Sequence, residues 1–377
     1  MADYRAEFYD FEDWIYLDAA NQGPMPRASV KAVQEALELK KFPQRLTNDF
    51  YFDFPDEVRR LLAELIGAKP QEIALTNGAS DGTNAVSASM ALAPGDEIVI
   101  AEGEFPSNYY TWRNWEARGV RVRRARARGQ FLTADDVLAE LSGKTRLVAL
   151  SWVHFSNGNR LDIARIGREC RRADARLLVD ASQAVGGIAF GVADLECDFL
   201  TCCGYKWLLS PYGTGFFWVR EDWIERLPLR EVYWQAIEGA RNFNTLPREG
   251  WQLAPGARRW DSAETANFFN LAAMKASVEF LLRVGVEKIY RHCRSLLDYL
   301  VEHLPHDRCA LKSPRDANQR GNFLAVAGRS PEKTQALWEK LQEQKIYVSL
   351  RENGLRIGPH LYNVERHIDR LLAVLGE

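Results

Sequence analysis

Residues 202–215 read CCGYKWLLSPYGTG, and this stretch indicates both the fold and the chemistry of the chain. Its lysine, Lys206, stands among aromatic and apolar residues, just before a turn rich in proline and glycine. Upstream, residues 177–183 read LLVDASQ, an apolar run of strand length that ends at Asp180. Taken alone, Lys206 is most simply a surface lysine and Asp180 a helix cap. Together, they predict an amine and a carboxylate that share one site.

A strand-end aspartate followed by a lysine before such a turn is typical of pyridoxal phosphate (PLP) chemistry. The lysine amine forms a Schiff base with the cofactor, and the carboxylate keeps the pyridine nitrogen protonated so that the ring accepts electrons. We therefore expect Lys206 and Asp180 to be the catalytic residues of a PLP enzyme.

The composition is that of an ordinary globular protein. The chain has 377 residues, which predicts two domains, and its formal charge of −2 favours neither nucleic acid nor a membrane as partner. Its six cysteines form no CxxC pair and no metal-ligand spacing, so we expect free thiols and no metal. No signal-like N-terminus and no apolar run of the ~20 residues that a membrane span needs are present, which predicts a cytoplasmic protein.

Short apolar runs alternate with amphipathic stretches between about residues 56 and 219. This alternation predicts an α/β domain with a mostly parallel sheet, whose ligands bind at the carboxyl ends of the strands. A long amphipathic helix at 271–304, broken near Gly285, and the strands and helices after it predict a smaller α/β unit. The strand-like runs of the first unit include 72–76, 97–101, 147–151, 177–180 and 216–219.

Several polar or aromatic residues follow these predicted strands. Ala79 and Ser80 open a helix, which suits a phosphate site or a simple capped turn. Phe105 has a ring that suits stacking on a pyridine or packing in the core. Asn157 suits a hydrogen bond to the ring oxygen of the cofactor, whereas His154 beside it is more often a structural residue.

Together these segments resemble the class V aminotransferase family of fold-type I PLP enzymes, which also contains cysteine desulfurases, kynureninase and isopenicillin N epimerase-like proteins. The resemblance implies an aspartate aminotransferase-like α/β fold with a mostly parallel sheet in a large PLP-binding domain, residues 16–265. It also implies a smaller C-terminal α/β domain, residues 266–377, joined by the N-terminal segment 1–15. The segments that carry it are 17–26, 76–84, 102–108, 154–160, 177–183, 202–215 and 355–363.

The resemblance also implies how the cofactor ring is held. Lys206 is the Schiff-base lysine, and Asp180 is the partner of the pyridine nitrogen. Gln183 and Asn157 contact the ring oxygen, and Phe105 stacks on the ring. Other family members often have histidine at the position of Phe105, so this chain lacks a ring nitrogen there.

The remaining cofactor contacts implied by the resemblance surround the phosphate. Ala79, Ser80 and Tyr205 hold the phosphate itself, and Cys203 completes the set. Family members are homodimers with their active sites at the subunit interface, and Thr265 resembles a residue that the neighbouring chain lends to the phosphate. One extra residue near Thr265 interrupts the match.

The substrate implied by the resemblance is an amino acid. Arg356 matches the arginine that clamps the substrate carboxylate, a bidentate role that suits a guanidinium better than an ammonium group. Asn21 and His154 are further candidates for substrate contacts.

The reaction type is left open between several outcomes of one proton abstraction by Lys206. Transamination is the favoured prediction, and a kynureninase- or cysteine lyase-like elimination and an amino-acid epimerisation are the alternatives. Residues 347–351 and 358–361 contain no cysteine, which disfavours a cysteine desulfurase. A PLP-fold binding protein without turnover is the non-enzymatic alternative.

Overall fold

A computed structural model describes residues 4–229, 231–265, 267–352 and 354–377. None of the helices in these ranges is long and apolar enough to cross a membrane. The strands are β1 Ile15–Tyr16, β2 Ile73–Thr76, β3 Glu97–Ala101, β4 Arg121–Ala125, β5 Thr145–Ser151, β6 Arg176–Asp180, β7 Phe199–Cys203, β8 Gly215–Val219, β9 Cys309–Leu311, β10 Leu324–Gly328, β11 Ile346–Tyr347, β12 Ser349–Arg351 and β13 Gly354–Ile357. The helices are α1 Arg27–Lys41, α2 Phe50–Ile66, α3 Ala79–Ser89, α4 Pro106–Arg113, α5 Ala134–Leu138, α6 Ile163–Arg172, α7 Phe268–Val284, α8 Val286–His303, α9 Pro331–Glu343 and α10 Glu365–Gly376.

The larger sheet has seven strands in the order β2-β8-β7-β6-β5-β3-β4. Strand β8 is antiparallel to both of its neighbours, and the other neighbouring strands are parallel. Strands β7 and β8 are buried along their whole length, as expected for apolar runs covered on both faces. The prediction of an α/β fold with a mostly parallel sheet is therefore confirmed.

The smaller sheet has four antiparallel strands in the order β12-β13-β10-β9. Side chains from this sheet and from α8, α9 and α10 share one apolar core, which includes Leu300, Leu341, Leu355 and Leu371. Strand β1 pairs in parallel with β11, so the N-terminal segment joins this smaller unit. After β1 the chain reaches the carboxyl end of β7, because the N–H of Gly23 donates to the carbonyl oxygen of Tyr205.

The helix predicted at 271–304 is interrupted at Gly285, as expected, and forms α7 and α8. Gly285 has a φ of 86°, a left-handed conformation that glycine adopts without a steric cost. Met274, Val278 and Leu281 of α7 belong to the core of the larger sheet. Ile289 and Cys293 of α8 belong to the same core, so both helices contact the larger unit, and the domain division at 265/266 stays a prediction.

His360 is a buried histidine without a hydrogen-bond partner on either ring nitrogen in the described part of the chain. Its ring lies between those of Trp207 and Tyr362, 5.8 Å from each centroid. Burial, reinforced by His292, lowers the pKa of His360 from 6.5 to about 3. Between these two values the unfolded chain binds a proton that the folded chain does not. The free energy of unfolding therefore falls as the pH falls through this window.

We expect His360→Gln to flatten this acid sensitivity, because glutamine does not titrate. In the native protein, His360 makes the free energy of unfolding about 2 kcal/mol lower at about pH 5 than at neutral pH. Urea unfolding at about pH 7.5 and about pH 5 measures it. His303→Gln, which changes an exposed histidine, is the control. An unchanged pH dependence in His360→Gln would contradict the prediction.

Candidate active site

Four predicted site residues lie at the carboxyl ends of neighbouring strands: Phe105 follows β3, Asn157 follows β5, Asp180 ends β6 and Lys206 follows β7. Asp180 ends β6 and lies in register with Ser151, the last residue of β5. The chain between β1 and α1 passes close to Lys206, since the N–H of Gly23 donates to the carbonyl oxygen of Tyr205 at 2.8 Å. A Cβ atom at Gly23 would lie 1.9 Å from the carbonyl oxygen of Lys206, so only glycine permits this close approach.

Lys206 is a buried lysine whose amine is left unpaired. Its exposed fraction is 8%. The Nζ atom lies 5.3 Å from the ring centroid of Phe105 and 5.7 Å from that of Tyr205. No hydrogen bond or ion pair to this Nζ occurs among the described residues, although buried lysines are normally paired. The amine is therefore available for covalent chemistry.

Asp180 presents one free carboxylate oxygen at the same strand edge. Its Oδ1 accepts the backbone N–H of Ser182 at 2.9 Å, and Ser182 Oγ in turn accepts the N–H of Cys203 at 3.2 Å. Within the described residues, Oδ2 has no hydrogen-bond partner. A buried carboxylate held in this way fits the protonated nitrogen of a pyridine ring.

The start of α3 supplies backbone donors for a phosphate. The N–H groups of Ala79 and Ser80 stand in its first turn, where they have no partner within the helix. The carboxylate of Asp81 is turned away to other donors, because its Oδ2 accepts the N–H of Asn77 at 3.0 Å and the hydroxyl of Ser262 at 2.7 Å. Together with Asp180 and Lys206, this helix start fits PLP.

Tyr205 and Thr265, the other predicted phosphate contacts, both have partners within the chain. The ring of Tyr205 packs against Tyr212, with centroids 4.7 Å apart. The hydroxyl of Thr265 donates to the carbonyl oxygen of Ser262 in its own chain. Since Ser262 Oγ donates to Asp81 of α3, Thr265 is linked to the start of that helix in its own chain, and its contact with a phosphate or with a second chain stays a prediction.

Gln183 and Asn157 have part of their hydrogen-bonding capacity occupied. Gln183 Oε1 accepts the indole N–H of Trp207 at 2.8 Å, and its Nε2 donates to the carbonyl oxygen of Ala20 at 2.9 Å. Asn157 Oδ1 accepts the N–H of Asn159 at 3.0 Å. Each amide nitrogen carries two hydrogens. Both side chains can therefore still donate an N–H to the ring oxygen of the cofactor, and that contact stays a prediction.

Arg356 forms a buried polar cluster with Asp18, which follows β1. Its Nη1 donates to the carbonyl oxygen of Phe155 at 3.0 Å, and Nη2 lies 3.4 Å from Asp18 Oδ1. The hydroxyl of Ser349 donates to the other Asp18 oxygen. The Nε of Arg356 is buried and has no partner in the described part of the chain. Burial lowers the pKa of Arg356 and raises that of Asp18. An incoming carboxylate would satisfy the remaining donor capacity of Arg356.

Asn21 and His154, the other candidates for substrate contacts, are both bonded within the chain. Asn21 Oδ1 accepts a hydrogen bond from Arg351 Nη2 at 3.2 Å. His154 Nε2 lies 3.0 Å from the carbonyl oxygen of Gly103, and its Nδ1 lies 3.2 Å from Ser156 Oγ. Burial lowers the pKa of His154. Both ring nitrogens thus have partners within the chain, so His154 has no free nitrogen that could act as a base.

The cysteines are poor nucleophiles in this fold. All six are buried free thiols. Burial raises the pKa of Cys203, the thiol nearest to Lys206 in sequence, and a thiol must be ionised to attack. The described residues include no group of three histidine, cysteine or acidic side chains that could hold a metal ion.

Glu104 is a buried residue of this site that the sequence analysis did not single out. Its Oε1 accepts the N–H of Ser151 and its Oε2 the hydroxyl of Ser151, both at 2.6 Å, while Oε2 also lies 3.2 Å from the N–H of Phe105. Burial, with the charge of Asp180 adding to it, raises the pKa of Glu104 to about 7. In the sequence, the feature that could have pointed to Glu104 is its position directly before Phe105, which is predicted to stack on the cofactor. Glu104 joins the backbone of Phe105 to β5, the strand next to the one that ends at Asp180.

We expect Glu104→Gln to remove a loss of stability that the native protein shows as the pH rises. The folded chain holds the Glu104 proton up to about pH 7, whereas the unfolded chain releases it near pH 4.5. The free energy of unfolding of the native protein therefore falls by about 2–3 kcal/mol between about pH 5 and about pH 8. Urea unfolding at these two pH values measures the fall. Glu102→Gln is the matched control, because Glu102 lies two residues upstream but is exposed. A native pH dependence in Glu104→Gln would contradict the role assigned to Glu104.

Comparisons with known proteins agree with this fold. A lysine-to-alanine variant of C-DES, with glycine covalently linked to the PLP cofactor, matches at a TM-score of 0.89 over 100% of both chains, with 24% identity. The cysteine desulfurase CsdA from Escherichia coli matches at a TM-score of 0.85, over 99% of this chain and 96% of the other, with 21% identity. At these identities the match shows the fold, which is that of fold-type I PLP enzymes.

Sequence relatives cover nearly the whole chain and carry several activities. A kynureninase from Myxococcus xanthus is 26% identical over 99% of this chain and 93% of its own length. An isopenicillin N epimerase from Streptomyces clavuligerus is 28% identical over 96% of this chain and 94% of its own. The family model of aminotransferase class-V matches residues 15–366. This chain therefore belongs to the class-V aminotransferase family, whose members are PLP-dependent enzymes.

Proposed function

We propose that this protein is a PLP-dependent aminotransferase that acts on an amino acid. When bound, PLP supplies an aldehyde for Lys206 and an electron-accepting ring for the substrate. Lys206, once displaced by the substrate amine, takes the proton from the substrate Cα and holds it. Asp180 keeps a negative charge beside the ring nitrogen, and Arg356 orients the substrate through its carboxylate.

The observation that carries this proposal is the buried, unpaired amine of Lys206. Phe105 has no ring nitrogen, both nitrogens of His154 are engaged, and the thiol of Cys203 is held neutral by burial. Glu104, whose pKa is raised to about 7, has both carboxylate oxygens bonded to Ser151, so Lys206 is the one base that we assign to the site. A single base that removes a proton and returns it to a different carbon performs transamination. Epimerisation through a proton on each face of Cα requires a second base, so we rank it below transfer.

A lyase reaction is the second candidate, because elimination also needs only one base. Relatives described as kynureninase and probable cysteine desulfurase favour it. A desulfurase that carries sulfur on a cysteine fits poorly, since all six thiols are buried and none lies in 347–351 or 358–361. We therefore place a lyase that leaves no sulfur on the protein second.

We also propose a homodimer with Thr265 near the shared boundary. Large exposed aromatic side chains on the described chain are candidates for such an interface: Tyr110, Tyr212, Phe243 and Trp251. Light scattering of the purified protein tests the dimer.

Product analysis tests the reaction type. The holoprotein is incubated with a panel of amino acids, each with and without a 2-oxo acid acceptor, and Lys206→Ala serves as the control. A new amino acid made from the acceptor supports the aminotransferase. Ammonia and a 2-oxo acid, with no new amino acid, would point to the lyase. Racemised substrate without transfer would point to the epimerase.

A further inference from the structure

A second arginine, Arg351, lies on the same face of the smaller sheet as Arg356. Strands β12 and β13 pair antiparallel, with Ser349 opposite Arg356 and Arg351 opposite Gly354. Directly paired residues point to the same face, and so do residues two apart along a strand. Arg351 and Arg356 are thus diagonal neighbours, a relation that puts their backbones about 7–8 Å apart.

The two arginines differ in how their charges are compensated. Arg356 is buried and pairs with Asp18. Arg351 is exposed and bonds to neutral oxygens, the Asn21 Oδ1 at 3.2 Å and the Leu350 carbonyl oxygen at 3.3 Å. It has no ion pair with any residue in the described ranges. Its positive charge acts instead on the cluster of Arg356 and Asp18. It opposes the rise that burial causes in the pKa of Asp18, and it adds to the lowering of the pKa of Arg356.

The acidic group next to Arg351 in the chain does not neutralise it. Glu352 makes no salt bridge within the described residues, and its charge acts on His154, whose pKa it raises against the effect of burial. An uncompensated guanidinium thus lies beside Asn21, two residues before Gly23, whose backbone contacts that of Tyr205 and Lys206. Arg351 lies on β12, the strand paired with β13, which carries Arg356, the proposed carboxylate clamp.

We propose that Arg351 binds a second anionic group on the substrate, so that the preferred substrates are amino acids with an acidic side chain, such as a carboxylate. This inference rests on the proposed function, in which Arg356 holds the α-carboxylate. The planar fork of a guanidinium suits bidentate recognition of such a group. The exposed position of Arg351 lets the side-chain acid enter from solvent, whereas the α-carboxylate reaches the buried Arg356.

Spectral titration of the holoenzyme with matched pairs, aspartate against asparagine and glutamate against glutamine, tests the inference. The measured quantity is the dissociation constant obtained from the change in the visible absorption band. We expect an acid to bind at least about tenfold more tightly than its amide. Arg351→Gln should remove this preference by weakening the acids, with the amides and the affinity for PLP unchanged. Lys345→Gln, which changes another exposed cation of this unit, should keep it.

The outcomes separate this inference from the proposed function. Equal binding of acid and amide by the unaltered enzyme overturns the inference, and so does a preference that persists in Arg351→Gln. The proposed function survives both results, because amino acids still change the band. If no amino acid in the panel changes the band, the proposed function and the inference fail together.

Discussion

Lys206→Ala is expected to remove the visible absorption of the lysine-bound cofactor and to lower kcat by about 10²–10⁴-fold or more. The alanine variant has neither the amine that joins PLP nor the base that takes the Cα proton. Phe105 and His154 offer no replacement, since one has no basic atom and the other has both nitrogens engaged. An absorption spectrum and steady-state kinetics of the same preparation measure both effects.

Lys41→Ala is the matched control for Lys206→Ala. Lys41 is an exposed lysine at the end of α1 and pairs with Glu38. Its removal should leave both the spectrum and kcat unchanged. A Lys206→Ala protein that keeps the band, or that turns over at the native rate, would contradict the role of this residue.

Asp180→Asn is expected to lower kcat by about 10²–10³-fold, comparable to the loss of a preorganised charge-stabilising group. Asparagine keeps an oxygen that can accept the N–H of Ser182, so the turn after β6 is retained. What is lost is the negative charge beside the ring nitrogen. Steady-state kinetics at saturating PLP separates this effect from weaker cofactor binding.

Asp174→Asn provides the comparison for Asp180→Asn. Asp174 carries the same side chain just before β6, but it is exposed to solvent. We expect native kcat from this variant. If Asp180→Asn also retained native kcat, the assignment of Asp180 as the partner of the ring nitrogen would be wrong.

The parts of the fold that the sequence predicted correctly depend on local patterns. The apolar runs at 97–101 and 147–151 are strands β3 and β5, and the break near Gly285 separates α7 from α8. These features follow from hydrophobic periodicity and from the backbone freedom of glycine. Strand β7, Phe199–Cys203, was not among the strand-like runs that the sequence analysis named, although it leads directly to Lys206.

The parts that the sequence could not predict depend on contacts between distant residues. The pairing of Asp18 with Arg356 joins the two ends of the chain, and no local pattern encodes it. The amide of Gln183 is bonded to Trp207 and Ala20, a detail that depends on how the N-terminal segment passes over the site. Glu104 owes its importance to burial against a neighbouring strand.

The central claim is that Lys206 is the residue that joins the cofactor. Borohydride reduction of the PLP-loaded protein, followed by proteolysis and mass spectrometry, tests it most directly, because reduction makes the lysine–cofactor bond permanent. We predict a phosphopyridoxyl group on the peptide that contains Lys206 and no such label in Lys206→Ala. A label on a different lysine, or no label on the native protein, would contradict the account.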